Sequence, residues 1–124
     1  MEKAGEWPDS LDALIAAPEH HSLVFENDDV RILETRIGPG ETVPLHTHRW
    51  PAALYFLASG HVVQRDVDGN VLFDTRITGA VAAPGSAVWV GTLPAHTVEN
   101  VGESKIHFLN LELKRTSPTA RDRA

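Results

Sequence analysis

The sequence predicts a single all-β domain of short strands with one short helix ahead of them. Three observations carry that prediction. A chain of 124 residues fits one domain of ordinary size and is long enough to bury one core. From residue 22 onward, short runs of β-branched and aromatic residues are divided by Gly, Pro, Asn and Asp, the punctuation of a sandwich or barrel. There are no cysteines, so the core must stand without disulfides, and any metal must be held by imidazole, carboxylate or amide.

The elements follow in order. Residues 1–8 read as a loose lead-in. Asp9 or Ser10 is placed to cap a short helix through Leu11, Leu14 and Ile15, which Pro18 stops. Strands are expected over 22–26, 29–37, 42–48, 52–58, 61–67, 71–76, 79–82, 86–90, 94–100 and 105–113. Asp68-Gly69-Asn70 marks a hairpin, because Gly and Asn tolerate the positive φ of a tight turn, and Asn27-Asp28 is a similar signal. The closing run Lys105–Leu113 interleaves two apolar sets, as a strand buried on both faces would. The polar segment from Lys114 to Ala124, with one proline, reads as a flexible tail. The domain division is therefore 1–21 for an N-terminal extension with a short helix, 22–113 for the β-barrel and 114–124 for the tail.

Charge narrows the partners. With 11 Lys+Arg against 17 Asp+Glu the formal charge is −6, a poor match for nucleic acid or an anionic membrane. No apolar run is long enough to span a bilayer, and the N-terminus lacks a basic segment followed by an apolar one. A cytoplasmic protein acting on a small molecule is the expectation.

Three histidines carry the chemistry. His46 and His48 form an H-x-H pair, and on a strand residues i and i+2 project the same way, which suits two adjacent positions around a metal ion. His96 comes far enough along the chain for the sheet to fold back and bring a third imidazole. Three imidazoles on rigid strands leave positions open for water or substrate.

With these residues in view, the sequence resembles the cupins. Their first motif, G-x5-H-x-H-x3,4-E-x6-G, is matched by Gly40, His46-Thr47-His48 and Gly60. Their second, G-x5-P-x-G-x2-H-x3-N, is matched by Gly85, His96 and Asn100, with Gly91 where Pro is usual and Leu93 where Gly is usual. The resemblance spans roughly residues 30–113. It extends to short cupins with an H-x-H-x-W-P stretch, here His46-Thr47-His48-Arg49-Trp50-Pro51, some of which are similar to a small cupin associated with β-alanine degradation. It implies a cupin-type double-stranded β-helix, or jelly-roll barrel, and one divalent metal held by His46, His48 and His96. It also implies a homodimer, for which the apolar strand near 22–26 is available.

One departure matters. The motif's metal-binding Glu falls at position 53, which is Ala53. Period-2 alternation points Ala53 at the site with Tyr55 and Leu57 behind it, and no Asp or Glu lies between His48 and Asp66. An ion held by neutral imidazoles alone keeps its full double charge and should favour an anionic or bidentate substrate ligand. Cupins that resemble this arrangement include the thiol dioxygenases and a diketone-cleaving dioxygenase, with three histidines on ferrous iron. The function expected is thus an oxygenase acting on a small anionic substrate chelated at a three-His centre, with Fe2+ foremost and Zn2+, Ni2+ or Mn2+ as other occupants. Tyr55 and Gln64 are the candidates to support the site from inside the barrel. A non-catalytic small-molecule binder or sensor, and a metal-assisted hydrolase or isomerase, are the rival readings.

The remaining candidates have plainer roles. His20 and His21 read as surface residues, His61 as a rim or exposed position, and His107 as packed or supporting the ligands. Trp50 and Pro51 read as shaping the barrel entrance, Trp89 as core, Arg49 as a solvated loop cation able to draw an anion, and Asn100 as holding a turn.

Overall fold

The computed structural model describes residues 8–115. The predicted lead-in and tail lie largely outside them.

A 3-10 turn at Asp9–Leu11 leads into a four-residue helix, α1, at Ala13–Ala16. The cap is Asp12, whose side chain accepts from Leu14 N at 3.2 Å, so the predicted caps Asp9 and Ser10 sit one turn too early. Backbone bonds from Thr47 N to Leu11 O and from Ala13 N to Thr47 O fasten this segment beside the H-x-H pair.

Nine strands follow: β1 His21–Glu26, β2 Val30–Ile37, β3 Thr42–His46, β4 Ala52–Ala58, β5 Val62–Asp66, β6 Val71–Asp74, β7 Ala87–Val90, β8 His96–Asn100 and β9 Ile106–Leu113, with a short helix α2 at Thr75–Thr78 between β6 and β7. They form a five-stranded sheet, β1-β2-β9-β4-β7, and a four-stranded sheet, β3-β8-β5-β6, with every pairing antiparallel. The predicted strand over 79–82 is instead irregular chain, because Asp74 caps α2 through Arg76 N and Gly79 ends it with φ of 73°. Both predicted turns form: Asn27 Oδ1 accepts from Asp29 N and Val30 N, and Gly69 has φ of 87° at the tip of the β5–β6 hairpin.

The best-packed core lies at one end of the barrel, where Ala17, Ile37, Val43 and Ile106 meet and Val62, Val98 and Phe108 close over them. Asn100 ties this end together as the sequence suggests: its Nδ2 donates to Ile37 O and Ser104 O at 2.9 Å, and its Oδ1 accepts from Gly102 N. The motif glycines Gly40 and Gly85 take φ of 78° and 86°, a left-handed conformation that a side chain would strain.

Alternation on β9 sets the inner face. Ile106, Phe108 and Asn110 line the interior and Glu112 is fully buried, while Leu109, Leu111 and Leu113 form the half-buried outer face.

Candidate metal centre

The histidines gather at the other end of the barrel, on strand ends. His46 closes β3 and pairs in register with His96, which opens β8. His48 follows in the irregular chain after β3, and its ring centroid lies 5.0 Å from that of His46. The His46 and His96 centroids are 4.6 Å apart, and those of His48 and His96 6.1 Å.

A fourth ring joins them. His21, read from sequence as a surface residue, opens β1 opposite Thr35, is only 5 % exposed, and lies 5.0 Å from His46 and 5.5 Å from His48 by ring centroids. His21, His46 and His48 each offer one nitrogen within 4.8 Å of the others, a group able to hold a metal ion. Thus the tightest trio takes His21 where the motif spacing places His96, and His96 stands against its flank. Only the pairing of β1 with β2 turns His21 inward.

The ring orientations agree with ligation. Nδ1 of His21 bonds Ala17 O at 3.1 Å, that of His46 bonds Pro44 O at 2.7 Å, and that of His96 bonds Pro94 O at 2.8 Å. Carbonyls only accept, so each of these rings carries its proton on Nδ1 and leaves the Nε2 lone pair free. Nδ1 of His48 meets Glu112 Oε2 at 2.8 Å, the carboxylate–histidine pairing that orients a metal ligand. Burial, followed by repulsion from neighbouring imidazoles, pushes His46 down to about 2 and His21 to about 4. Burial likewise lowers His96 to about 4. All three are neutral near pH 7, the form that binds a metal.

Glu112 supplies the carboxylate that position 53 lacks, though behind a histidine and from the far end of the chain. It belongs to a buried relay: its Oε1 accepts from Arg31 Nε at 2.6 Å, and the Arg31 fork reaches Asp12 at 2.9 and 3.1 Å. Burial alone would lower the Arg31 pKa, but hydrogen bonds to Asp12 and Glu112 outweigh it and raise it above the usual arginine value. The sequence signal for Glu112 was a lone acid within an apolar strand, in phase with Ile106, Phe108 and Asn110.

Two expected positions are corrected. Ala53 does not face the site: Ala52 does, in register with Glu112 and Val90, while Ala53 pairs with Leu111 and Trp89 on the outer face. Tyr55 is accordingly on the outer face, 40 % exposed, and does not support the site. The expectation followed the motif position of the Glu; counted in twos from His48, the residues in phase are Ala52 and Leu54, and these are the ones that line the interior. Gln64 does line the interior, beside Val98 and Phe73 in register. Trp89, expected in the core, is 59 % exposed. Trp50 lines the cavity with the Arg31 guanidinium 5.1 Å from its ring, and Arg49 pairs with Asp9. His20 bonds Arg36 O, His61 bonds Thr75 Oγ1, and His107 pairs with Glu34 at 2.6 Å, all away from the centre.

The histidines open onto a cavity of about 480 Å3 between the two sheets. Two antiparallel sheets closing over a histidine-lined interior form a double-stranded β-helix. No family model matches the sequence, and no curated protein matches it significantly. Solved structures do match. A cupin domain from Bordetella pertussis Tohama I is 18 % identical with a TM-score of 0.63, over 76 % of this chain and 91 % of that one. An RmlC-like cupin from Methanocaldococcus jannaschii is 14 % identical with a TM-score of 0.54, over 82 % and 85 %. The polyketide cyclase RemF from Streptomyces resistomycificus is 19 % identical with a TM-score of 0.53, over 81 % and 68 %. This chain therefore has the double-stranded β-helix fold of the cupins, with a histidine group that can hold a metal ion.

Proposed function

We propose that this protein is a metal-dependent cupin enzyme, an oxygenase whose centre holds one divalent ion, Fe2+ foremost, on His21, His46 and His48 with His96 as a further ligand. The observation that supports it most is the alignment of the rings: Nδ1 of each of the four meets a carbonyl or carboxylate, which leaves each Nε2 free. When bound, the ion supplies Lewis-acid and redox chemistry to a substrate oxygen beside it. The chain's own part is to hold imidazoles at fixed angles, to hold Glu112 between Arg31 and His48, and to surround the substrate with an apolar wall. Because each ligand is neutral, the ion keeps its charge and favours an anionic head group on the substrate.

Metal analysis of tag-free protein tests the reading, with micromolar or tighter binding of a divalent ion expected. Protein that neither retains nor binds a metal would sink it. Oxygen uptake on turnover separates the oxygenase from a hydrolase or isomerase, for which imidazole-rich sites also suit zinc and nickel. A second reading, a non-catalytic binder, is favoured by one observation: His96 adjoins the His21–His46–His48 trio, so a tetrahedral ion taking four imidazoles would have no open position. Absorption spectra of the Co2+-substituted protein distinguish the two, since an open site changes its spectrum on adding azide and a closed one does not.

A further inference from the structure

We propose that the substrate is an amphiphile: a small oxygen-bearing chelating head at the histidines joined to an uncharged, apolar body that fills the barrel. The inference rests on the metal-centre reading above for the head and on the cavity alone for the body. Among the described residues, no Lys, Arg, Asp or Glu lines the cavity, so apart from the ion nothing there answers a second charge on the ligand. The wall is aliphatic and aromatic, including Leu54, Phe56, Val88, Val98, Ile106 and Phe108, and it comes from both sheets. A small anion such as a short amino or keto acid would leave most of this surface facing water.

The polar groups in the wall are few and placed apart. Asn110, 4 % exposed, lies two residues along β9 from Glu112, or about 7 Å by strand geometry. Its Oδ1 accepts from Thr35 Oγ1 at 2.6 Å, which leaves its N–H groups as donors on the cavity side. Gln64 stands across on the other sheet, two residues along β5 from the register partner of His96. These two amides suit one or two carbonyl or hydroxyl oxygens near the head and nothing ionic further in. A cavity of about 480 Å3 accommodates an organic molecule larger than a metabolite of a few carbons.

The test is calorimetric titration of the Ni2+- or Fe2+-loaded protein with straight-chain hydroxamates, from acetohydroxamate to octanohydroxamate. The chelating head is constant and only the body grows. Affinity should rise roughly 100-fold or more across the series, since each buried methylene adds roughly fourfold. Val88→Gln, on an edge strand where the fold tolerates it, should weaken octanohydroxamate several-fold and leave acetohydroxamate unchanged. Equal affinity across the series with the metal bound overturns the amphiphile and leaves the metal centre standing. If no metal binds, the body is read in the metal-free protein by displacement of 1-anilinonaphthalene-8-sulfonate. Displacement by 1-octanol but not by ethanol supports the apolar pocket, and displacement by neither overturns it.

Discussion

At Glu112 two demands meet in a fully buried carboxylate. Oε1 holds Arg31 at 2.6 Å and Oε2 holds His48 at 2.8 Å. A buried carboxylate is costly unless its oxygens are satisfied, and here a cation and an imidazole N–H satisfy them. Glu112→Gln keeps the shape but removes the charge that orients His48. It should lower metal affinity by about 10–100-fold, read by competition with a chelator, while His107→Gln, whose ring meets Glu34 on the outer face, should leave it unchanged. The other histidines make a pH prediction for the metal-free protein. His21, His46 and His96 lie below their ordinary value of 6.5 in the fold, at about 4, 2 and 4. Between pH 6.5 and 4 the unfolded chain therefore binds more protons than the folded one, and stability falls as the pH falls. Each imidazole contributes at most about 1.4 kcal/mol per pH unit in that window. Urea midpoints measured at pH 7.5, 6 and 5 should decline in that order, and a midpoint flat over this range contradicts the buried neutral rings.

At the scale of elements, the N-terminal segment is more than a lead-in. Asp12 caps α1, pairs with Arg31 at 2.9 Å, and lies where the segment runs beside Thr47. The H-x-H loop is thereby held from outside the barrel as well as from β3. Asp12→Ala should cost roughly 3 kcal/mol, because it strands one side of a buried guanidinium as well as removing a cap. Denaturant unfolding reads that loss; a change under 1 kcal/mol would mean that water or another group takes over Arg31. The Asp12→Asn variant, which keeps the cap, separates the two effects.

The whole molecule shows one surface that the barrel does not explain. Across the outer face of the five-stranded sheet, Phe25, Ile32, Leu111, Ala53 and Trp89 fall in one register row, one from each strand. Phe25 is 49 % and Trp89 59 % exposed, and β1 at the sheet edge also exposes Leu23 and Val24. An apolar face running to a strand that stands at the sheet edge among the described residues invites a second copy, since a two-fold arrangement matches the same row to itself. Light scattering at micromolar concentration should give the mass of a dimer, and Phe25→Ser with Trp89→Ser should shift it towards monomer; a wild-type monomer would dismiss the pairing. Among the described residues no helix is long and apolar enough to cross a membrane.

How far the sequence carried these conclusions depends on the distance over which each signal acts. Local chemistry was legible. Gly and Asn turns, β-branched runs and the H-x-H pair act within a few residues, and they identified the strands, the all-β class and the gathering of His46, His48 and His96 at one end. The strand over 79–82 was misread because the cap at Asp74 and the left-handed Gly79 outweighed a short run of small apolar residues. Ala53 and Tyr55 were assigned to the inner face from the motif position of the Glu, whereas Ala52 and Leu54, in step by twos with His48, occupy it. Contacts between distant strands were beyond reach altogether. His21 turns inward only because β1 pairs with β2, and Glu112 reaches His48 only because β9 lies between β2 and β4. The sequence by itself pointed to three of the four gathered histidines, His46, His48 and His96, and to the all-β kind of scaffold that carries them. The tertiary structure alone decided that the histidine group able to hold a metal ion includes His21, that the Glu112 carboxylate stands behind His48, and that the space before them is apolar, because side-chain direction and strand neighbours are set by pairing between segments far apart in the chain.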